Sequence, residues 1–205
     1  MQQKKVIFRG LVIGTIMLLF LVSLGAGSPG RADTLQENVY KVGKLKPLDS
    51  ASKLKVGDKA PDFTLPAVSD KKISLAQYRG KKNVVISFVP AAWTPVCSEQ
   101  WPGYNIAKDI FDEYNAQLIG ITVDNIPTLF AWTNQMGKLW FPVLSDFWPH
   151  GAVASKYGIL RTDGVSERAL FVIDKKGIIR YLDIHDINKR PPLDDLVKEL
   201  KKLKQ

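Results

Sequence analysis

The stretch from Phe88 to Trp101 reads FVPAAWTPVCSEQW and contains Cys97, the only cysteine in the 205-residue chain. Just before it, NVVISFV from Asn83 to Val89 is a nearly continuous apolar run, which predicts a strand covered on both faces. The pattern after Pro95 is helical, and proline is favoured at the first position of a helix. We therefore expect a strand, a loop and a helix, with Cys97 in the first helical turn.

This position favours a reactive thiol. Free backbone N–H groups and the positive end of the helix dipole gather at a helix N-terminus, and both stabilise the thiolate, the nucleophilic form of cysteine. We expect Thr94 to cap the helix and point its hydroxyl at the sulfur, and Pro90 to bend the chain at the strand exit and shield the sulfur from water. The competing interpretation is that a lone cysteine is a small buried apolar residue.

Strand and helix patterns alternate through the rest of the chain. Apolar runs predict strands at 62–65, 117–123, 170–174 and 178–184, and helical spacing predicts helices at 95–115, 127–136, 152–157 and 193–203. Such alternation predicts an α/β fold with a central mixed sheet flanked by helices. The final strand hairpin followed by a terminal helix is typical of a thioredoxin-like fold.

The first 27 residues differ from the rest in composition. Basic residues precede an apolar run from Gly10 to Ala26, which is the layout of a Sec signal. The run is short for a bilayer span, so a cleaved signal and a retained N-terminal membrane anchor both stay open. Either form predicts an extracytoplasmic domain, periplasmic or at the cell surface. Residues 28–53 are rich in Ser, Pro, Gly and charge, and we expect them to be a linker to a domain over residues 54–205.

Composition excludes several classes of function. The formal net charge is +9, but the basic residues are scattered apart from a C-terminal cluster, so we expect no nucleic-acid site. One cysteine excludes an intramolecular disulfide and a CxxC redox pair. With only two histidines in addition, we expect no metal site and no cofactor.

Four segments carry a family resemblance. Pro90, Thr94 and Cys97 have the spacing of the PxxxTxxC motif of the peroxiredoxins. Three further segments resemble that family's entry strand, the stretch before its catalytic arginine, and its arginine strand with the following hairpin: VGDKAPDFTLPAV (56–68), LSDFWPHGAVASKYGI (144–159) and ERALFVIDKKGIIR (167–180). The SDFWPHG segment and the single cysteine are similar to the one-cysteine, alkyl hydroperoxide reductase E-like type.

The resemblance implies a thioredoxin-like fold with a peroxiredoxin-type N-terminal extension, and a peroxidase that acts on hydrogen peroxide and organic hydroperoxides. Cys97 would be the nucleophile that becomes a sulfenic acid, Arg168 the catalytic arginine, and Thr94 the residue that positions the peroxide beside Pro90. The reductant would be an external thiol, either a small thiol or a thioredoxin- or glutaredoxin-like protein. A homodimer is among the forms that the resemblance allows.

Four other residues bear on this assignment. Arg161 is the one competitor for the arginine role, and we expect it in a solvated loop. We expect His150 to be a hydrogen-bonded structural residue next to Trp148. Gln100 stands where Glu is common in the family, so the link from this position to the arginine is expected to be rearranged, and Trp93 stands where Phe is commoner.

Three other functions compete with the peroxidase. An exported thioredoxin-fold thiol–disulfide oxidoreductase needs a second thiol to release its mixed disulfide, and a copper carrier of this fold needs paired cysteines. A non-catalytic binding domain, in which Cys97 has lost its role, stays compatible with the sequence.

Overall fold

A computed structural model describes residues 35–203 of the chain. The segment expected to be a Sec signal or membrane anchor lies outside these residues, so that expectation stays a prediction. Between residues 35 and 203, no helix has the length and apolar character needed to cross a membrane.

The strands and helices follow the predicted alternation. The strands are β1 (Thr64–Pro66), β2 (Lys72–Ser74), β3 (Asn83–Phe88), β4 (Ala116–Thr122), β5 (Val143–Ser145), β6 (Arg168–Ile173) and β7 (Ile179–His185). The main helices are α1 (Pro95–Ile106), α2 (Lys108–Glu113), α3 (Ile126–Met136), α4 (Ala152–Lys156) and α5 (Leu193–Lys202), and a 3-10 helix follows β2 at Leu75–Tyr78.

The central sheet has the strand order β5-β4-β3-β6-β7. Strands β3, β4 and β5 run parallel, whereas β6 is antiparallel to both β3 and β7. All six residues of β3 are buried. Val85 packs into the apolar cluster that holds α1, α2, α3 and α5, and its neighbours Val84 and Ile86 pack into the opposite cluster with α4, because successive side chains point to opposite faces of a sheet. The predicted mixed sheet, covered on both faces, is confirmed.

The local structure differs from the prediction at two places. The helix predicted from 95 to 115 is divided into α1 and α2 at Ala107, whose ψ is 17°. Ile106, the last residue of α1, is 88% exposed, while Phe111 of α2 is fully buried. Strand β5 was not predicted, since three residues are too few to show an alternating pattern.

The described part of the predicted linker lies on the domain. Leu35 is buried in the apolar cluster around α1, and the backbone N–H of Tyr40 donates to the carbonyl of Trp93 at 2.7 Å. Further along, the N–H groups of Asp49 and Ser50 donate to the Glu167 carboxylate at 2.6 and 2.7 Å. We call residues 40–50 the strap, since they cross the surface beside the loop that carries Trp93.

Candidate active site

Cys97 lies in the first turn of α1, as predicted. The helix begins at Pro95, and the N–H of Ser98 makes an early helical hydrogen bond to the carbonyl of Thr94 at 2.9 Å. The thiol is free and fully buried. The chain thus passes from the end of β3 through a short loop and delivers the sulfur to a helix N-terminus, where backbone N–H groups and the helix dipole favour negative charge.

Thr94 occupies the N-cap position, but its hydroxyl does not cap the helix. Its backbone is extended (φ −107°, ψ 153°), and its side chain makes no capping hydrogen bond. The hydroxyl instead donates to the carbonyl of Ala91 at 2.9 Å, so the capping prediction was wrong. The turn at Trp93, whose φ is 61°, brings this carbonyl within reach. Donating its proton leaves the hydroxyl oxygen free to accept a hydrogen bond from a ligand.

The loop before α1 is held from two sides. The N–H of Ala92 donates to the Asp124 carboxylate at 2.8 Å, and the Thr122 hydroxyl at the end of β4 donates to the same oxygen. On the other side, Tyr40 of the strap donates to the carbonyl of Trp93. Left-handed backbone at a residue other than glycine costs about 1–3 kcal/mol. The loop geometry at Trp93 is therefore maintained by these surrounding contacts.

Arg168 points its guanidinium at the sulfur. Its Nη2 lies 3.4 Å from Cys97 Sγ, and its Nη1 donates to Gln100 Oε1 at 2.6 Å. Its Nε and Nη2 both donate to the carbonyl of Ile187, at 3.3 and 3.0 Å. Arg168 is the first residue of β6, and β6 pairs with β3 so that Phe88 faces Ala169. The sheet pairing therefore places Arg168 beside the end of β3, where the chain continues to Cys97.

Gln100 makes a direct hydrogen bond to Arg168. The link from this position to the arginine was expected to be rearranged, because glutamine replaces the commoner glutamate, and that expectation was wrong. Its side chain is fully buried, and its Nε2 donates to Ser87 Oγ at 3.1 Å while its Oε1 accepts from Arg168. Trp101 Nε1 also donates to Ser87 Oγ, at 3.2 Å. Sequence reasoning missed Ser87 and the Ile187 carbonyl. Ser87 left a signal as the polar residue within an apolar strand, but a backbone acceptor such as the carbonyl leaves none.

Arg161 is not in a solvated loop, so that prediction was wrong. Its side chain is buried; Nη1 lies 2.7 Å from the Glu167 carboxylate, and Nη2 donates to the carbonyl of Lys46 at 3.1 Å. Burial lowers the pKa of Arg161, but Glu167 and Asp163 raise it above its ordinary value. A buried carboxylate requires a cationic or hydrogen-bonding partner, and Arg161 is that partner for Glu167. Of the two candidate arginines, Arg168 is the one whose guanidinium contacts the sulfur.

His150 lies next to Trp148 as predicted, with ring centroids 4.8 Å apart and an edge-on contact. Both residues are exposed, so this ring contact lies at the surface of the domain. Neither residue lines the cavity that Thr94 and Arg168 line.

A cavity of ≈ 550 Å³ lies beside Arg168 and the first turn of α1. Its volume is many times the roughly 30 Å³ that one water occupies in the liquid, so it admits a peroxide with an organic substituent. Four segments form its walls: the loop and first turn of α1, the strap, the loop before β6, and the stretch after β7. The residues of these walls include Pro90, Thr94, Val96, Val42–Leu45, Val165, Arg168, Ile187 and Asn188.

The structure is a thioredoxin-like domain with a buried cysteine–arginine pair at a helix N-terminus. Residues 56–182 match the model of the AhpC/TSA family, and the chain belongs to that family. It is 39% identical to alkyl hydroperoxide reductase E of Mycobacterium tuberculosis over 132 residues, which is 64% of this chain and 86% of the relative. It is 34% identical to the chloroplastic 2-cysteine peroxiredoxin of Chattonella marina var. antiqua, over 72% of this chain and 79% of the relative.

Solved structures give the same fold. The reduced 2-Cys peroxiredoxin of Plasmodium vivax superimposes with a TM-score of 0.69 at 29% identity, covering 74% of this chain and 82% of that one. AhpC of Mycobacterium tuberculosis gives a TM-score of 0.68 at 25% identity, covering 74% and 94%. Among its relatives and structural neighbours, the chain is thus placed with the peroxiredoxins.

Proposed function

We propose that the protein reduces hydrogen peroxide and organic hydroperoxides with Cys97 as the attacking thiol. The observation that carries this proposal is the 3.4 Å contact between Arg168 Nη2 and Cys97 Sγ at a helix N-terminus. A cation beside a sulfur in that position favours the thiolate, which is the form that attacks peroxides. Membership of the AhpC/TSA family, with relatives named as hydroperoxide reductases and peroxiredoxins, supports the same function.

The reaction is a two-electron oxidation of sulfur. The Cys97 thiolate attacks one oxygen of the peroxide, and the new S–O bond forms as the O–O bond breaks. The sulfur becomes a sulfenic acid. The other oxygen departs with the electron pair of the broken bond, takes a proton, and leaves as water or as an alcohol.

The surrounding residues have separate roles in this step. Arg168 stabilises the negative charge on the thiolate and on the oxygen that leaves, and Gln100 and the Ile187 carbonyl fix its guanidinium in that direction. The Thr94 hydroxyl, which donates to Ala91, presents its oxygen to the O–H of the peroxide and positions it. Pro90 is a buried wall of the cavity and limits the access of water to the sulfur.

Reduction of the sulfenic acid requires a thiol from outside, since the chain has one cysteine. An external thiolate attacks the sulfur of Cys97, hydroxide leaves and becomes water, and a mixed disulfide forms. A second external thiol then attacks the mixed disulfide and restores Cys97. The donor is either a small thiol or a thioredoxin- or glutaredoxin-like protein. A homodimeric form remains a prediction from the family resemblance.

Mass spectrometry of the intact protein after one equivalent of hydrogen peroxide tests the proposal. We expect a mass gain of one oxygen on Cys97, trapped as an adduct by dimedone and reversed when candidate thiols are added in turn. Cys97→Ser, which keeps the shape of the side chain but is a poor nucleophile, is the control. If native Cys97 were oxidised no faster than the same cysteine in urea-unfolded protein at the same pH, the proposal would be wrong.

We also propose that the protein works outside the cytoplasm, attached to or released from the membrane. The support for this location is the sequence alone: basic residues followed by the apolar run from Gly10 to Ala26.

A further inference from the structure

We infer that the strap, residues 40–50, determines which molecules reach Cys97, and that Asn188 and the Arg161–Glu167 pair are positioning residues that hold it. The inference rests on the proposed function, in which Cys97 is the reacting group. It adds a specificity element that lies outside the PxxxTxxC motif and outside residues 56–182, which match the family model.

The strap is one wall of the route to the thiol. Cys97 is fully buried, and Arg168, whose guanidinium contacts its sulfur, lines the ≈ 550 Å³ cavity. Residues 42–45 of the strap line the same cavity, together with Thr94. A reagent that approaches the sulfur through this cavity therefore passes the strap.

The Asn188 side chain makes hydrogen bonds to both backbone polar groups of Leu45 in the strap. The N–H of Leu45 donates to Asn188 Oδ1 at 2.9 Å, and Asn188 Nδ2 donates to the carbonyl of Leu45 at 2.9 Å. This is the hydrogen bonding that a neighbouring strand would supply. The adjacent Ile187 donates its N–H to the carbonyl of Pro47 at 3.1 Å and accepts from Arg168 with its own carbonyl. One short stretch thus holds both the strap and the catalytic guanidinium.

The buried ion pair holds the next part of the strap. One carboxylate oxygen of Glu167 accepts from the N–H groups of Asp49 and Ser50, at 2.6 and 2.7 Å, and the other lies 2.7 Å from Arg161. Arg161 also donates to the carbonyl of Lys46. A buried ion pair is costly unless further hydrogen bonds satisfy it. Here those bonds come largely from the strap backbone, so the Arg161–Glu167 pair holds the strap in place.

Hydrogen bonds hold the cavity-lining part of the strap at both of its ends. At one end Tyr40 donates to the Trp93 carbonyl, and at the other Leu45 donates to Asn188. With the strap in place, the cavity accommodates a peroxide, whereas a bulky reagent requires the strap to move. Removing the Asn188 side chain deletes both of its hydrogen bonds to the strap, along with a third to Asp186 Oδ1. Loss of the two bonds to the strap raises the population of the displaced strap by on the order of tenfold.

Labelling of the single cysteine tests this in the full-length protein. The variant is Asn188→Ala, and the matched control is Asn105→Ala. The Asn105 side chain makes the same two-way grip on another loop, accepting from Trp140 N–H and donating to the Lys138 carbonyl, both at 3.2 Å. We would measure the labelling rate with N-ethylmaleimide and with a maleimide carrying a large polyethylene glycol chain. Because both reagents react with the same thiolate through the same maleimide group, its intrinsic reactivity cancels in the ratio of the two rates.

We expect the rate ratio of large to small reagent to rise about tenfold in Asn188→Ala and to stay unchanged in Asn105→Ala. An unchanged labelling ratio in folded Asn188→Ala, or an equal rise in the control, would overturn the inference. If Asn188→Ala does not fold, Asn188→Asp, which keeps the acceptor for Leu45 N–H but loses the donor, replaces it with the same expectation. If the labelling ratio rises in Asn188→Ala but the wild-type protein does not react with peroxide, the proposed function is refuted and the role of the strap is supported.

Discussion

Replacement of Arg168 by methionine tests whether this guanidinium drives the peroxide step. Methionine removes the charge and all donors while keeping a long apolar side chain at a position that is 2% exposed. The substitution deletes the 3.4 Å contact with Cys97 Sγ. It also removes the hydrogen bonds to Gln100 and to the Ile187 carbonyl.

The size of the effect follows from these contacts. Loss of one oriented donor that stabilises developing charge costs about 10²–10³-fold in rate. We therefore expect the second-order rate constant with hydrogen peroxide to fall by about that factor in Arg168→Met. Two buried acceptors, Gln100 Oε1 and the Ile187 carbonyl, lose partners, so we also expect a lower free energy of unfolding, by about 1–3 kcal/mol for each group left unsatisfied.

Arg161→Met is the matched comparison, since Arg161 is the other buried arginine of the same segment. It leaves the fully buried Glu167 carboxylate without its cation, which typically costs about 3–5 kcal/mol of stability. The free energy of unfolding should therefore fall further than in Arg168→Met. The rate of folded Arg161→Met with hydrogen peroxide should change much less, because Arg161 does not contact the sulfur.

Stopped-flow tryptophan fluorescence can follow the peroxide step in both variants. Trp101 lies on α1, one helical turn beyond Cys97, and is fully buried. Measurements belong at a temperature well below the melting point of each variant, as established by circular dichroism, so that the rate reports folded protein. If Arg161→Met were the crippling change in rate and Arg168→Met the mild one, the assignment of the catalytic arginine would be refuted.

The remaining predictions concern the nucleophile, the core, the strap and the location. Cys97→Ser should abolish peroxide consumption in a coupled assay and leave the circular dichroism spectrum unchanged; more than a few per cent of residual activity would contradict the nucleophile assignment. Gly120→Ala places a Cβ 2.7 Å from the Trp101 ring, so urea unfolding should show a loss of about 1–3 kcal/mol, with little loss in Gly43→Ala, where the Cβ meets nothing within 4 Å. Hydrogen bonds from Lys46 and Thr162 hold the pKa of Asp49 well below its usual 3.8. A depressed folded-state pKa stabilises above the unfolded value, so the difference in unfolding free energy between wild type and Asp49→Asn should shrink as the pH falls below about 3.8. A fusion of residues 1–60 to a reporter active only outside the cytoplasm should be active, and a silent fusion would count against export.

The sequence by itself determined the features that depend on neighbouring residues. The apolar run of β3 predicted a strand buried on both faces, and the residues from Pro90 to Cys97 predicted a thiol in the first turn of a helix. The alternation of strands and helices predicted the mixed sheet. Such patterns can be read from a sequence because the period of a strand or helix, and the start of a helix, are local properties of the chain.

Only the tertiary structure decided which polar groups are buried and against what. Arg161 and Arg168 lie seven positions apart in one segment, and nothing local shows that the first clamps Glu167 and the strap while the second contacts Cys97. The strap itself reads as a polar linker, yet its backbone supplies hydrogen bonds to residues more than a hundred positions away. Burial of a charge depends on partners that the fold brings together from distant parts of the chain, and a local pattern contains no record of them.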